Sequence, residues 1–244
     1  MDDAFKGSID ARSVDAGRGI NWWTDAWAMF TKHAGMWIVL SLILLLIFFV
    51  LAFIPFLGGI AAALLAPILV GGFMITARKA EAGVAPQPAD LFVAFKTHAQ
   101  PLAIIGALLL AAVVVFGLLM SVLGVGATFG FGMSGAHRSA GGMFAAMGAG
   151  LVFILLCIAF AFVLSMAVWF APALVVFHEL SPIDAIKTSF AASLKNFVPF
   201  ILWGVVYLVA SIVASIPAGL GWIVLAPVAL LTAYVAYKDL FGGT

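Results

Sequence analysis

Three histidines and three prolines are the residues of this 244-residue chain whose types and placing invite a chemical reading. His33, His98 and the pair His178 and Glu179 lie at the edges of apolar runs, and imidazole nitrogens with a carboxylate are donors that a metal ion or a haem takes. None of them falls in an H-x-x-E-H or H-E-x-x-H spacing, so no metal is expected, and they fit the polar ends of apolar helices. Pro67, Pro172 and Pro227 stand in the similar phrases LLAPILVGG, WFAPALVVF and VLAPVALLT. Each lacks an N–H and frees a carbonyl one turn earlier. Within a membrane that means either a kink fitting helices round a shared axis or the lining of a central cavity.

Other chemistry is thin. No G-x-S-x-G elbow, phosphate loop or paired carboxylates in a plausible pocket are present, so no catalytic residue, no enzyme activity and no cofactor are expected. No Asp, Glu, Lys, Arg or His lies inside the long apolar runs, which counts against a proton-coupled carrier. A sodium site built from carbonyls and hydroxyls such as Ser165, Ser211 or Ser215 stays open, although such hydroxyls more often serve packing. Cys157, the only cysteine, excludes a disulfide framework or a Cys-based zinc site within one chain. The formal net charge of +1 offers no clustered basic surface to a nucleic acid.

The elements that must position these residues are helices. Apolar residues make up 66% and charged residues only 9% of the chain, the balance of an integral membrane protein. Residues 1–20 lack the basic-then-apolar order of a secretory signal and are expected to form a disordered cytoplasmic tail. Residues 21–244 form one all-α membrane domain with six spans, at about 36–54, 60–77, 101–123, 151–177, 197–216 and 220–237. The glycine-dense stretch 124–150 is expected to be a flexible outer loop.

Three amphipathic segments precede the odd-numbered spans. Ser181, Pro182 and Asp184 make the start of the third: a capping hydroxyl, a proline where no N–H is needed, and a carboxylate in the positive first turn. Its stripe is Ile183, Ile186, Phe190 and Leu194. The first has Trp23, Trp27 and Phe30 at helical spacing with Trp22 beside them; the second has Leu91, Phe92 and Phe95 on one face. Contact with headgroups or a partner is expected at Trp22, Trp23, Trp27, Phe30, Phe92, Phe95, Ile186 and Phe190.

Of the 11 Lys and Arg residues, all but Arg138 fall on the side of the N-terminus, which predicts both termini in the cytoplasm. The segments and spans then form three parallel copies of one unit, at about 21–79, 88–179 and 181–239, round an axis along the membrane normal. Each copy carries an early aspartate: Asp25, Asp90 or Asp184. Phe30 and Phe95 follow the first two by five residues, and His33 and His98 by eight. The third departs, with Phe190 six residues on and no histidine.

The order of amphipathic aromatic helix, span, I-P turn and L-A-P span, together with FAPALVVFHELSPIDAIKTSF and KNFVPF, resembles a group of proteobacterial six-helix inner-membrane proteins. These are akin to YciC-type proteins and to the membrane domains beside some glycerophosphodiester phosphodiesterases. The resemblance implies a bacterial cytoplasmic membrane and carries no catalytic residues. The expected role is a non-enzymatic accessory or scaffold subunit of a larger inner-membrane assembly, with the lipid bilayer and other membrane subunits as partners. The alternative is a small-molecule or lipid carrier with a central cavity at Pro67, Pro172 and Pro227.

Overall fold

A computed structural model describes residues 9–133 and 140–242, and the regular structure among them is all helix. Three short elements lie outside the spans: α1 (Arg18–Lys32), a 3-10 turn at Pro88–Phe92 leading into α4 (Val93–Thr97), and α8 (Pro182–Lys195). The long elements are α2 (Ala34–Ala52), α3 (Leu57–Glu81), α5 (Ala99–Met133), α6 (Ala140–Val168) continued by α7 (Ala171–His178), α9 (Phe197–Ser215) and α10 (Trp222–Phe241). Six stretches of them are long and apolar enough to cross a membrane. Their spacing along the chain matches the six expected spans.

The chain divides into two compact units, residues up to Gly106 with those from Met166 onward, and residues 107–165. In the second unit Phe116 of α5 stacks on Phe160 of α6 at 3.9 Å. Here the helices run into the glycine-dense stretch: α5 continues to Met133 and α6 begins at Ala140. Extending an existing helix adds a hydrogen bond per residue without a new nucleus, which offsets a glycine cost of about 1 kcal/mol per position. The centre of the expected loop, 134–139, lies outside the described residues.

In the first unit each amphipathic segment joins its span through one non-helical residue. His33 (φ −142°, ψ 41°), His98 (φ −137°, ψ 22°) and Asn196 (φ −115°, ψ 37°) share a backbone conformation that turns the chain from the short helix into the long one. Asn196 stands at this turn before α9, where the sequence has no histidine. Each short element docks on long helices of this unit. α1 packs on α10 and α9, the 3-10 turn and α4 pack on α3, and α8 packs on α7. A Cβ at Gly72 of α3 would lie 1.9 Å from the Leu91 carbonyl oxygen, so only glycine admits the turn that closely.

The proline-bearing helices α3, α7 and α10 form the inner set. α3 packs against both others, and Phe177 of α7 lies 5.2 Å from the Tyr237 ring of α10. Pro67, Pro172 and Pro227 are all buried, but they act differently. Pro67 and Pro227 lie inside continuous helices. The carbonyl that Pro67 frees, on Ala63, receives the backbone of Gly106, where a Cβ would come within 2.3 Å. Pro172 instead ends α6 four residues before itself, at Val168, and α7 starts afresh. Ser189 of α8 mends the break: its hydroxyl donates to the Met166 carbonyl and accepts the Phe170 N–H.

Candidate functional site

The ends of α3, α7 and α10 converge at the face where α1, α4 and α8 lie, and their last turns carry the polar residues. His178 Nε2 lies 2.8 Å from Tyr237 Oη. The Tyr234 hydroxyl donates to Glu81 at 2.7 Å, and Lys238 pairs with the other oxygen of Glu81. The Arg78 guanidinium lies over the Phe177 ring, 5.0 Å from its centroid. These side chains tie the three inner helices together at one level. Tyr234 and Tyr237 are buried, and a buried polar group costs about 1–3 kcal/mol if unpaired, so their bonds to Glu81 and His178 are what let those hydroxyls sit there.

A second set of bonds comes from a segment expected to be tail. Residues 9–17 form a strap rather than a disordered stretch; residues 1–8 lie outside the described residues. Arg12 N–H donates to the Leu240 carbonyl at 3.0 Å, and Val14 N–H to Asn196 Oδ1 at 2.9 Å. Asn196 and Lys195 donate back to the Arg12 and Ala11 carbonyls. Asp239 is the hub: it accepts from Arg12 at 2.9 Å, Arg18 at 2.6 Å and the Trp22 indole at 2.9 Å. That hydrogen bond from Arg18 pushes the guanidinium pKa above its ordinary value, holding it charged. Composition argued for disorder here, because anchors more than 180 residues distant in the chain leave no local signal.

Between the strap, α1 and the ends of α3 and α10 opens a polar cleft of about 390 Å³. Arg12, Arg18, Lys32 and Lys238 line it together with Asp25, Glu81, Asp239 and His33. Sequence reasoning misses this site, since Arg12 and Arg18 fall in the stretch whose composition predicts a disordered tail. A smaller cleft of about 240 Å³ lies between Asp10, Lys187 and Lys195.

The expected contact residues divide. Trp22 is fully buried and Phe30 nearly so, on the α1 face formed with Gly19 and Ala26; neither offers surface to lipid or a partner. Small neighbours at 19 and 26 are what let that face press on α9 and α10. Trp23 is half-buried, stacked on Trp203 at 5.6 Å. Trp27 is 50% exposed, and Phe92 and Phe95 are exposed as well. On α8 the inward face is Ala185, Ser189, Ala192 and Ser193, which leaves Ile183 and Leu194 exposed and Ile186 and Phe190 half-buried.

The three histidines go to separate partners or caps. His33 ends α1 and lines the larger cleft, His98 Nδ1 lies 2.8 Å from Thr97 Oγ1, and His178 bonds Tyr237. Among the described residues no group of three His, Cys, Asp or Glu is placed to hold a metal ion. Ser165, Ser211 and Ser215 donate to carbonyls of their own helices, Phe162, Tyr207 and Ser211. Neither cleft is lined by Pro67, Pro172 or Pro227.

Six apolar spanning helices with short amphipathic helices between them define an all-α polytopic membrane protein. The chain is similar to a probable inner membrane protein of Burkholderia thailandensis, with 26% identity over 208 residues, covering 80% of this chain and 73% of that protein. No family model matches the chain, and no solved structure matches it significantly.

Proposed function

We propose that the chain works by association, as a non-enzymatic accessory or scaffold subunit of a larger bacterial inner-membrane assembly. The observation that carries this reading is the division of the amphipathic helices. Small residues pack inward beside Trp22, Phe30 and Leu91, while Trp27, Phe92, Phe95, Ile183 and Leu194 stay exposed on the face where the termini lie. Polar groups at the ends of the inner helices pair with one another, as a structural role requires. The inner membrane is supported by the description of the Burkholderia thailandensis relative, and a cytoplasmic face for both termini by the distribution of Lys and Arg.

The chain is further read as three parallel copies of one unit. Two features support this: the common backbone turn at His33, His98 and Asn196, and the docking of each short element on the proline-bearing helix of the preceding copy, with α1 closing the ring on α10. Kinks that fit helices round a shared axis then explain Pro67, Pro172 and Pro227. A carrier with a cavity at these prolines is the lesser reading, because all three are buried.

The test is purification of the tagged full chain from native membranes in a lipid-retaining polymer, beside a variant with Trp27→Asp and Phe95→Asp. A membrane protein recovered in fixed ratio with the parent and lost from the well-folded variant supports association. Recovery of the parent alone rejects it.

A further inference from the structure

We propose that the larger cleft binds a phosphate ester, and that its occupant is the headgroup phosphate of an anionic phospholipid. This goes beyond association and does not depend on it.

The geometry begins at Asp239. One carboxylate holds two guanidinium groups, Arg12 at 2.9 Å and Arg18 at 2.6 Å; Asp25 also pairs with Arg18 and balances the second charge, so the surplus positive charge of the cleft is that of Lys32. A guanidinium carries five N–H donors in a planar fork. The bonds of each arginine to Asp239 and Asp25 use only Nε and Nη2, so both have donors to spare among the described residues. Such forks match the oxygens of a phosphate in pairs.

The other carboxylates of the cleft are already matched. Glu81 is bonded by Tyr234 and Lys238, and Asp25 by Arg18 at 3.3 Å. Across the cleft Lys32 forms no hydrogen bond or ion pair among the described residues, although its charge acts on Glu81 from a distance. His33 stands next to it, half-buried at the end of α1. Four cationic side chains therefore face three carboxylates, with an imidazole in addition.

Position selects the source of the phosphate. The cleft opens where the amphipathic helix α1 meets the ends of α3 and α10, which is the level of lipid headgroups in a bilayer spanned by those helices. Its volume of about 390 Å³ accepts a glycerophosphate group without entry of the acyl chains. An anionic lipid is also drawn to a basic rim electrostatically.

Native mass spectrometry of the purified full chain reads this directly. The probes are dioleoylphosphatidylglycerol, dioleoylglycerol with the same chains and no phosphate, and soluble glycerol 3-phosphate. The parent should retain the phospholipid over the diacylglycerol, and Lys32→Gln with His33→Gln should cut that preference about tenfold, as expected for losing charge-assisted bonds. Lys187→Gln, outside the cleft, should leave it unchanged. Displacement by glycerol 3-phosphate would keep the phosphate site and assign it a soluble ligand. Equal retention of the two lipids, or a preference untouched by the double variant, overturns the proposal. If the double variant does not fold, Lys32→Gln alone gives the same ratio.

Discussion

The Ser189 hydroxyl lies 2.8 Å from the Met166 carbonyl oxygen, joining α8 to the broken end of the fourth span. Ser189 Oγ itself accepts the Phe170 N–H at 3.0 Å, so one side chain satisfies both sides of the gap that Pro172 opens. In hydrocarbon no water is at hand to replace it. Ser189→Ala should destabilise the fold by about 1–3 kcal/mol, the cost of leaving buried backbone groups unpaired. Ser193, which reaches the same carbonyl at 3.3 Å, should cost much less when changed to Ala. Thermal unfolding in detergent compares the two, and equal losses would contradict the bridge.

Asp239→Asn removes the charge that holds Arg12, Arg18 and the Trp22 indole. A loss of about 1–3 kcal/mol is expected, since hydrogen bonds to charged groups exceed neutral ones but Arg12 is largely exposed. The more specific sign is local. Hydrogen exchange should quicken at the Arg12 and Val14 amides of the strap, while α5 and α6 exchange as before.

Gly72→Ala should separate α3 from the turn at Leu91, for the added carbon meets a carbonyl rather than a movable side chain. Overpacking of this kind costs about 1–3 kcal/mol. Gly59→Ala, in the same helix with open space around it, should be neutral or slightly stabilising. Melting temperatures that fall equally for both would remove the close contact as a cause.

These sites show where sequence reading succeeds in a membrane protein and where it stops. The spans and the start of α8 were legible, because unbroken apolar runs and the Ser181, Pro182, Asp184 order act locally; Ser181 Oγ does accept the Asp184 N–H at 3.2 Å. Which face of a short helix turns inward was not legible. Periodicity marked Ile183, Ile186, Phe190 and Leu194 as one stripe, but lipid rewards bulky apolar residues and helix contacts reward small ones, so Ala185 and Ser189 went inside. Trp22 and Trp27 have the same side chain and opposite fates, because Trp22 finds Asp239 and Phe200 as partners on the inward face of α1. The cleft was illegible throughout, since Arg12 and Arg18 acquire their place only from Asp239 at the other end of the chain.

A cytoplasmic side for both termini is a prediction from the distribution of Lys and Arg. A reporter active only in the cytoplasm should work when fused after Thr244 or within 84–87, and should be silent at Arg138. Activity at Arg138 would reverse the assignment and place the phosphate cleft on the outer leaflet.

Association is tested most directly by the composition of the particle drawn from native membranes without detergent. The parent chain should bring a second membrane protein in constant ratio across independent preparations. Trp27→Asp with Phe95→Asp should lose that protein while keeping the parent's melting temperature, and Trp22→Phe, buried in α1, should keep it. A particle holding this chain and lipid alone, or a companion indifferent to Trp27 and Phe95, would contradict the accessory role.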